Sequence, residues 1–274
     1  MKVLAHLDDV GSSHGSVVAW KGLRAAGVVR SASVMVPCPW YPLARDDWQD
    51  EPDQDMGVHI TLTSEWSTYR WRPLTGLSGG LTDDEGFMHR RPHGVLASAD
   101  PEAVADEIAA QIERVLSDGC KPTHLDAHMG TALLPPFVWK LIDAGKYYDV
   151  PVLACRDLSP LIRDVGLSKI DAGFVAEVLA EVENQNWPIF DRFLIGFCQD
   201  DMAIEDHVAG LLSEADVGLA YYGLHADTAQ EIEAFAPQHK NPRRKEYDFF
   251  NCPTSANVFA AAGAKTVTWA DVTA

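Results

Sequence analysis

Short apolar runs rich in β-branched residues alternate with helix-period segments from end to end, and that alternation restricts the fold more than any single motif does. The strand-like runs are Val3–Leu7, Ala32–Val36, Val58–Thr63, Pro122–Asp126, Val150–Ala154, Phe193–Phe197, Gly218–Gly223 and Lys265–Trp269. Helical patterns fall at 14–26, 135–147, 171–186, 203–214, 228–236 and 254–262. The clearest helix is "ADPEAVADEIAAQIERVLSDG". Asp100 is placed to cap it, Pro101 takes its first position, and Val104, Ile108, Ile112 and Leu116 recur at spacing four before Gly119.

Strands that alternate with helices pair in parallel through right-handed crossovers. About eight such units in 274 residues predict an α/β chain folded as one irregular (β/α) barrel, TIM-barrel-like, over residues 1–274. An open doubly wound sheet is the alternative. One interval breaks the rhythm: residues 64–99 carry no helical pattern, which predicts a long loop or hairpin insertion after the third strand, over the barrel mouth.

Charge and cysteine usage narrow the partners. With 40 acidic and 22 basic residues the formal charge is −18, which repels phosphate backbones and anionic lipid, so no nucleic acid and no membrane surface is expected. The five cysteines show no paired spacing of the kind that holds zinc or a disulfide framework. The N-terminus reaches Asp8 and Asp9 where a leader would be apolar, and no stretch approaches the ~18 apolar residues of a membrane span. The expectation is a cytoplasmic protein.

Three strand ends carry groups with chemistry. The first delivers Asp8 and Asp9, either as a solvated loop or as a cation site. The third, "GVHITLT", embeds His59 among apolar residues, as a core histidine or as a ligand. The fourth, "PTHLDAHMG", places His124, Asp126 and His128 at period two on one strand face, where buried polar groups need partners. Strand C-termini converge on one face of a barrel, so these groups meet in space. Carboxylates with imidazoles suit zinc and tolerate manganese, nickel or cobalt.

His225 closes the seventh strand, either as a proton supplier or as a loop histidine. Arg156 ends the fifth, for an anion or a surface ion pair, and His14 follows the acidic pair, in reach of substrate. The basic run at 241–250, "NPRRKEYDFF", reads as a local surface patch. Trp40, Tyr41, Trp66, Tyr69 and Trp71 are flat rings suited to the apolar face of a sugar.

Together "LDDVG", "SASVMV", "MGVHITLTSEW", "RPLTGL", "LTDDEGF", "PTHLDAHMG" and "TVTWADV", in this order and spacing, resemble the YdjC-like carbohydrate deacetylases, the group that includes chitooligosaccharide deacetylase. The resemblance implies an irregular (β/α) barrel that removes an N-acetyl group from an amino sugar with one divalent metal per chain, zinc or magnesium foremost, and often works as a homodimer. It implies Asp9, His59 and His128 as metal ligands, Asp8 as general base and His225 as proton donor. His124 and Asp126 would orient the ligands, with His14, Arg156 and Trp66 near substrate. The sequence departs from the family's usual setting at "SSHG" and at "GLHADT". Two rivals stay open: another metal hydrolase on the same barrel (a phosphoesterase or cyclic amidohydrolase) and a non-catalytic sugar-binding protein.

Overall fold

The computed structural model describes residues 1–76, 79–164, 170–214 and 218–273; positions 77 and 78 of the expected insertion lie outside the described residues. The chain begins with β1 (Lys2–Val10), buried along all but its first residue. A capping box at Ser13 then starts α1 (His14–Ala26), whose Val17, Trp20 and Leu23 turn inward. There follow β2 (Ser31–Val34), α2 (Tyr41–Asp50), β3 (Asp55–Ile60), α3 (Pro92–Ser98) and α4 (Pro101–Ser117). Next come β4 (Leu125–Ala127), α5 (Phe137–Tyr148), α6 (Ser159–Asp164), α7 (Ala172–Asn184), β5 (Arg192–Leu194) and α8 (Ile204–Glu214). The chain closes with β6 (Leu219–Leu224), α9 (Ile232–Phe235), α10 (Pro237–Phe250), α11 (Ser255–Ala261), β7 (Lys265–Thr266) and α12 (Trp269–Thr273).

Six strands pair in parallel in the order β4-β3-β2-β1-β6-β5, and the short β7 pairs with the start of β1. This is the parallel α/β architecture that the alternation predicts, curled into a partial barrel. The barrel is incomplete, as an irregular (β/α) barrel allows: among the described residues no ladder closes the ring. Among the described residues the gap from β4 to β5 is crossed by isolated parallel bridges, Leu125 to Val152 and Cys155 to Phe190, so the 150–154 segment read as a strand forms no ladder of its own.

Several expectations need correction. Among its described residues the 64–99 interval holds one antiparallel bridge, Thr82 to Met88, but ends in α3, which Pro92 starts at its first turn. Helices α2 and α6 are also additions; α2 is polar overall, and its buried face of Tyr41, Ala44 and Trp48 also carries Asp47. The apolar stripe of α4 ends on Val115, while Leu116 is 40% exposed. At 100° per residue Val115 lies about 20° from Val104 and Leu116 about 120° away, so a strict spacing of four drifts off the face. Each such side chain removed from water contributes about 1.5–3 kcal/mol.

The run at 241–250 is no surface patch. It is the body of α10, with Arg243, Glu246, Phe249 and Phe250 on its buried face. No helix among the described residues is long and apolar enough to cross a membrane.

Candidate active site

Adjacent residues of a regular strand point to opposite faces, so Asp8 and Asp9 could not both face one site from an unbroken β1. Asp9 instead takes φ +62°, in the left-handed region, and the pairing of β1 with β2 shifts register between Leu7 and Val10. Aspartate tolerates that conformation better than most residues, and this irregularity brings both carboxylates to the same end of the sheet. Close approach on either side depends on missing side chains. A Cβ at Gly223 would lie 3.1 Å from Asp8 Oδ2, and one at Gly57 would lie 2.5 Å from His124 Nε2.

Asp9 is the hub. Its Oδ1 lies 2.9 Å from His128 Nδ1 and 3.4 Å from His59 Nε2, and its Oδ2 accepts from Arg243 Nη2 at 2.9 Å. His59 directs its other nitrogen, Nδ1, at Asp126 Oδ1, 2.9 Å away, and that carboxylate's Oδ2 accepts from Ser33 Oγ at 2.8 Å. His128 directs Nε2 at Glu65 Oε2, 3.0 Å away. Each ring therefore has one nitrogen on Asp9 and the other on a second carboxylate, the arrangement by which outer groups fix the tautomer of a metal-binding imidazole.

The donor set fits a small divalent ion. Asp9, His59 and His128 are buried and offer ligand atoms that all lie within 4.8 Å of one another. Atoms held about 2 Å from a tetrahedral ion stand about 3.3 Å apart, close to the 2.9 and 3.4 Å separations at Asp9 Oδ1.

Electrostatics tells the same story from the side of the protons. Burial pushes the Asp9 carboxyl up, but His128 and Arg243 outweigh it and hold the group well below the usual carboxylate range. Burial pushes the His59 ring down, yet Asp126 and Asp9 carry it well above the ordinary histidine value. His128, opposed by burial in the same way, is raised to about 9 by Glu65 and Asp9. The carboxylates call for positive charge here, and without an ion the two rings supply it as protons.

Asp8 stands beside this group and is not consumed by it. Its Oδ1 meets His6 Nδ1 at 2.7 Å and Tyr221 Oη at 3.3 Å. Its Oδ2 faces His225 Nε2 at 3.9 Å. The His225 backbone N–H donates to Glu246 Oε2 at 2.7 Å, and burial pushes that carboxyl up to about 8. Asp9, Glu65, His128, His225, His239 and Arg243 line one cleft, together with Trp66, Arg91, Met129 and Phe197, around about 490 Å³ of open space.

The remaining expected residues divide. His124 lies beneath the site, with Nε2 2.9 Å from His6 Nε2 and its ring stacked 4.4 Å from Trp269. Trp66 lines the cleft but is only 5% exposed, wedged against Phe235, Tyr69 and Trp71, so it is no open platform for a sugar. His14 starts α1, with its N–H on Glu231 and its ring 5.0 Å from Trp40, and does not line this cleft. Arg156 is a correction: it is half exposed, pairs with Asp191 at 3.5 Å and lines a different surface depression.

Sequence reading passed over Glu65, Arg243, Tyr221 and Ser33, and reads His6 as core, where it lies fully buried. Glu65 stands inside the quoted "HITLTSEW", and Arg243 shares a helical face with Glu246, Phe249 and Phe250. A charge on an otherwise apolar helix face was the available signal.

Comparison with known proteins points to one family. The family model described as YdjC-like protein matches residues 2–261. A carbohydrate deacetylase of Thermus thermophilus is 35% identical over 159 residues, which cover 58% of this chain and 55% of that protein. A carbohydrate deacetylase of Listeria monocytogenes serotype 4a is 32% identical over 185 residues, 66% of this chain and 70% of that protein. The aligned part thus spans little more than half of the Thermus relative. A solved structure from Enterococcus faecalis V583, described as a putative cellobiose-phosphate cleavage protein, superposes with a TM-score of 0.77 over 98% of each chain. At 17% identity that likeness concerns the fold alone.

Proposed function

The chain belongs to the YdjC-like family, and from that membership and the cleft just described we propose that it is a metal-dependent carbohydrate deacetylase. It removes an N-acetyl group from an amino sugar or short oligosaccharide. One observation carries the reading. Asp9, His59 and His128 form a donor set, while the adjacent Asp8 stays outside it and turns one oxygen toward His225.

A divalent ion held by Asp9, His59 and His128 would bring the pKa of a water from about 16 toward 7 and polarise the acyl carbonyl. Asp8 would take a proton from that water on Oδ2, because its Oδ1 is already engaged by His6 at 2.7 Å. His225, 3.9 Å from Asp8 Oδ2, gives a proton to the departing amine. Asp126 and Glu65 hold the two imidazoles in the tautomers that turn His59 Nε2 and His128 Nδ1 toward Asp9. Trp66, Phe197 and Met129 line the cleft with apolar surface and keep water from the reacting carbonyl. The products are acetate and a free amino sugar.

Elemental analysis of the purified chain, beside His59→Ala and His128→Ala, tests the metal. The expected result is about one divalent ion per chain, lost in both variants, with acetate released from N-acetylated sugars by the wild type. A neighbouring trio, Asp8, His59 and Asp126, is also compact enough for an ion. Two ions per chain would therefore favour a phosphoesterase. No ion after reconstitution would leave a sugar-binding protein.

A further inference from the structure

A line of hydrogen bonds leaves Asp8 and runs down through the core, away from the cleft. Asp8 Oδ1 meets His6 Nδ1 at 2.7 Å, and His6 Nε2 meets His124 Nε2 at 2.9 Å. His124 Nδ1 meets Thr123 Oγ1 at 2.9 Å, and Thr123 Oγ1 donates to Asp55 Oδ1 at 2.6 Å. Asp55 opens β3, so the line ends at the opposite end of the sheet from the cleft. His6 and His124 are fully buried, and neither lines the cleft.

The far end sets the direction of the bonds from Asp55 up to His6. The Thr123 hydroxyl has one proton, which goes to Asp55, so it must accept from His124. His124 then carries its hydrogen on Nδ1. Burial and the neighbouring His6 hold its ring well below the ordinary histidine value, so it stays neutral and its Nε2 is a bare acceptor. His6 must fill that acceptor with its own Nε2–H. His6 Nδ1 and Asp8 Oδ1, 2.7 Å apart, are joined by a hydrogen bond. The rings turn edge-to-face at 4.9 Å, and His124 is clamped flat on Trp269, so neither ring is free to flip.

We propose that His6 is the positioning residue of Asp8, held in one hydrogen-bonding sense by His124, Thr123 and Asp55. This rests on the reading of Asp8 as the base. The line pins Asp8 Oδ1 from below and leaves Oδ2 as the oxygen that faces His225, which lines the cleft. His6, His124 and Asp126 also lie close enough to hold an ion, but an ion would need the Nε2 lone pair that the His6–His124 bond already uses.

Two measurements test this. The first is nitrogen-15 NMR of the imidazoles in the metal-free full chain, which needs no substrate. His124 should be protonated on Nδ1 alone, His6 should carry a proton on Nε2, and Thr123→Val should shift the His124 tautomer. A wild-type His124 protonated on Nε2, or an unmoved tautomer in Thr123→Val, would overturn the proposal. The second is steady-state kinetics of the metal-loaded enzyme. His6→Leu should lower kcat 10- to 100-fold with KM and metal content unchanged, and His6→Asn, which can keep an N–H toward Asp8, should recover most of it. A folded His6→Leu with wild-type kcat would overturn the proposal, as would a second ion bound at His6 and His124. If the wild type releases no acetate, the deacetylase reading falls, and the NMR arm still decides the direction of the line.

Discussion

Arg243 Nη2 and Asp9 Oδ2 are 2.9 Å apart in a fully buried ion pair, and the same carboxylate turns its other oxygen to His59 and His128. One acidic group is thus shared between a permanent cation from α10 and the place where a metal ion would sit. Arg243 also lines the cleft from the α10 side, with its guanidinium 6.0 Å from the Trp66 ring.

Removing that cation should leave Asp9 buried with one partner fewer. Breaking a buried pair from one side costs about 3–5 kcal/mol, so Arg243→Met should melt well below the wild type in chelator. Added metal should restore more of its stability than it adds to the wild type, because the ion supplies the missing charge. Thermal melts with and without metal check this, and identical shifts in the two proteins would show that Arg243 is not a counter-charge to Asp9.

The two adjacent aspartates should separate cleanly. Asp8→Asn should lower turnover by about 10²–10⁴-fold, the range for loss of a general base, and keep its metal. Asp9→Asn should lose the metal. Acetate release beside elemental analysis reads both at once, and a metal-free Asp8→Asn would move Asp8 into the ligand set.

Glu246 gives a pH dependence with a definite sign. Burial raises its carboxyl from 4.5 to about 8 in the folded protein. Between those values the unfolded chain has released the proton and the folded one retains it, so this group's contribution to stability falls as pH rises through that window. The loss amounts to roughly a few kcal/mol once the pH has passed 8. Glu246→Gln can still accept the His225 N–H. Urea unfolding from pH 5 to 8.5 should show a flatter decline in the variant, and equal slopes would contradict the buried protonated carboxyl.

Glu107 anchors the 64–99 interval, which supplies Glu65, Trp66 and Arg91 to the cleft. From α4 its two oxygens accept the backbone N–H groups of Leu74 and Thr75 at 3.0 Å each, and Gln111 one turn on supports it at 2.8 Å. Glu107→Ala strands two donors at about 1–3 kcal/mol each. Limited proteolysis should then cut the 64–99 interval much faster than in the wild type, and an unchanged rate would mean the segment is held elsewhere.

Local sequence is sufficient for the parallel α/β class, the first helix and the Asp100-capped helix, and for the group Asp8, Asp9, His59, Asp126 and His128. Periodicity of 2 or 3.6, a cap and a polar residue at the end of an apolar run are all written within a few neighbouring positions. Short pieces that depend on distant partners were not legible. The segment at 150–154 has strand-like residues but makes only a bridge, and α10 has a charged, proline-containing sequence that becomes a helix because Phe249 and Phe250 are buried there.

Which polar groups share a charge is settled at the tertiary level. Arg243 reaches Asp9 across 234 residues of chain and His6 reaches His124 across 118. Pairings at such separations follow from how the sheet curls and which helix covers it, and no local pattern encodes them. The turn at Asp9 is of the same kind: two neighbouring carboxylates face one site only because the strand leaves its regular path there.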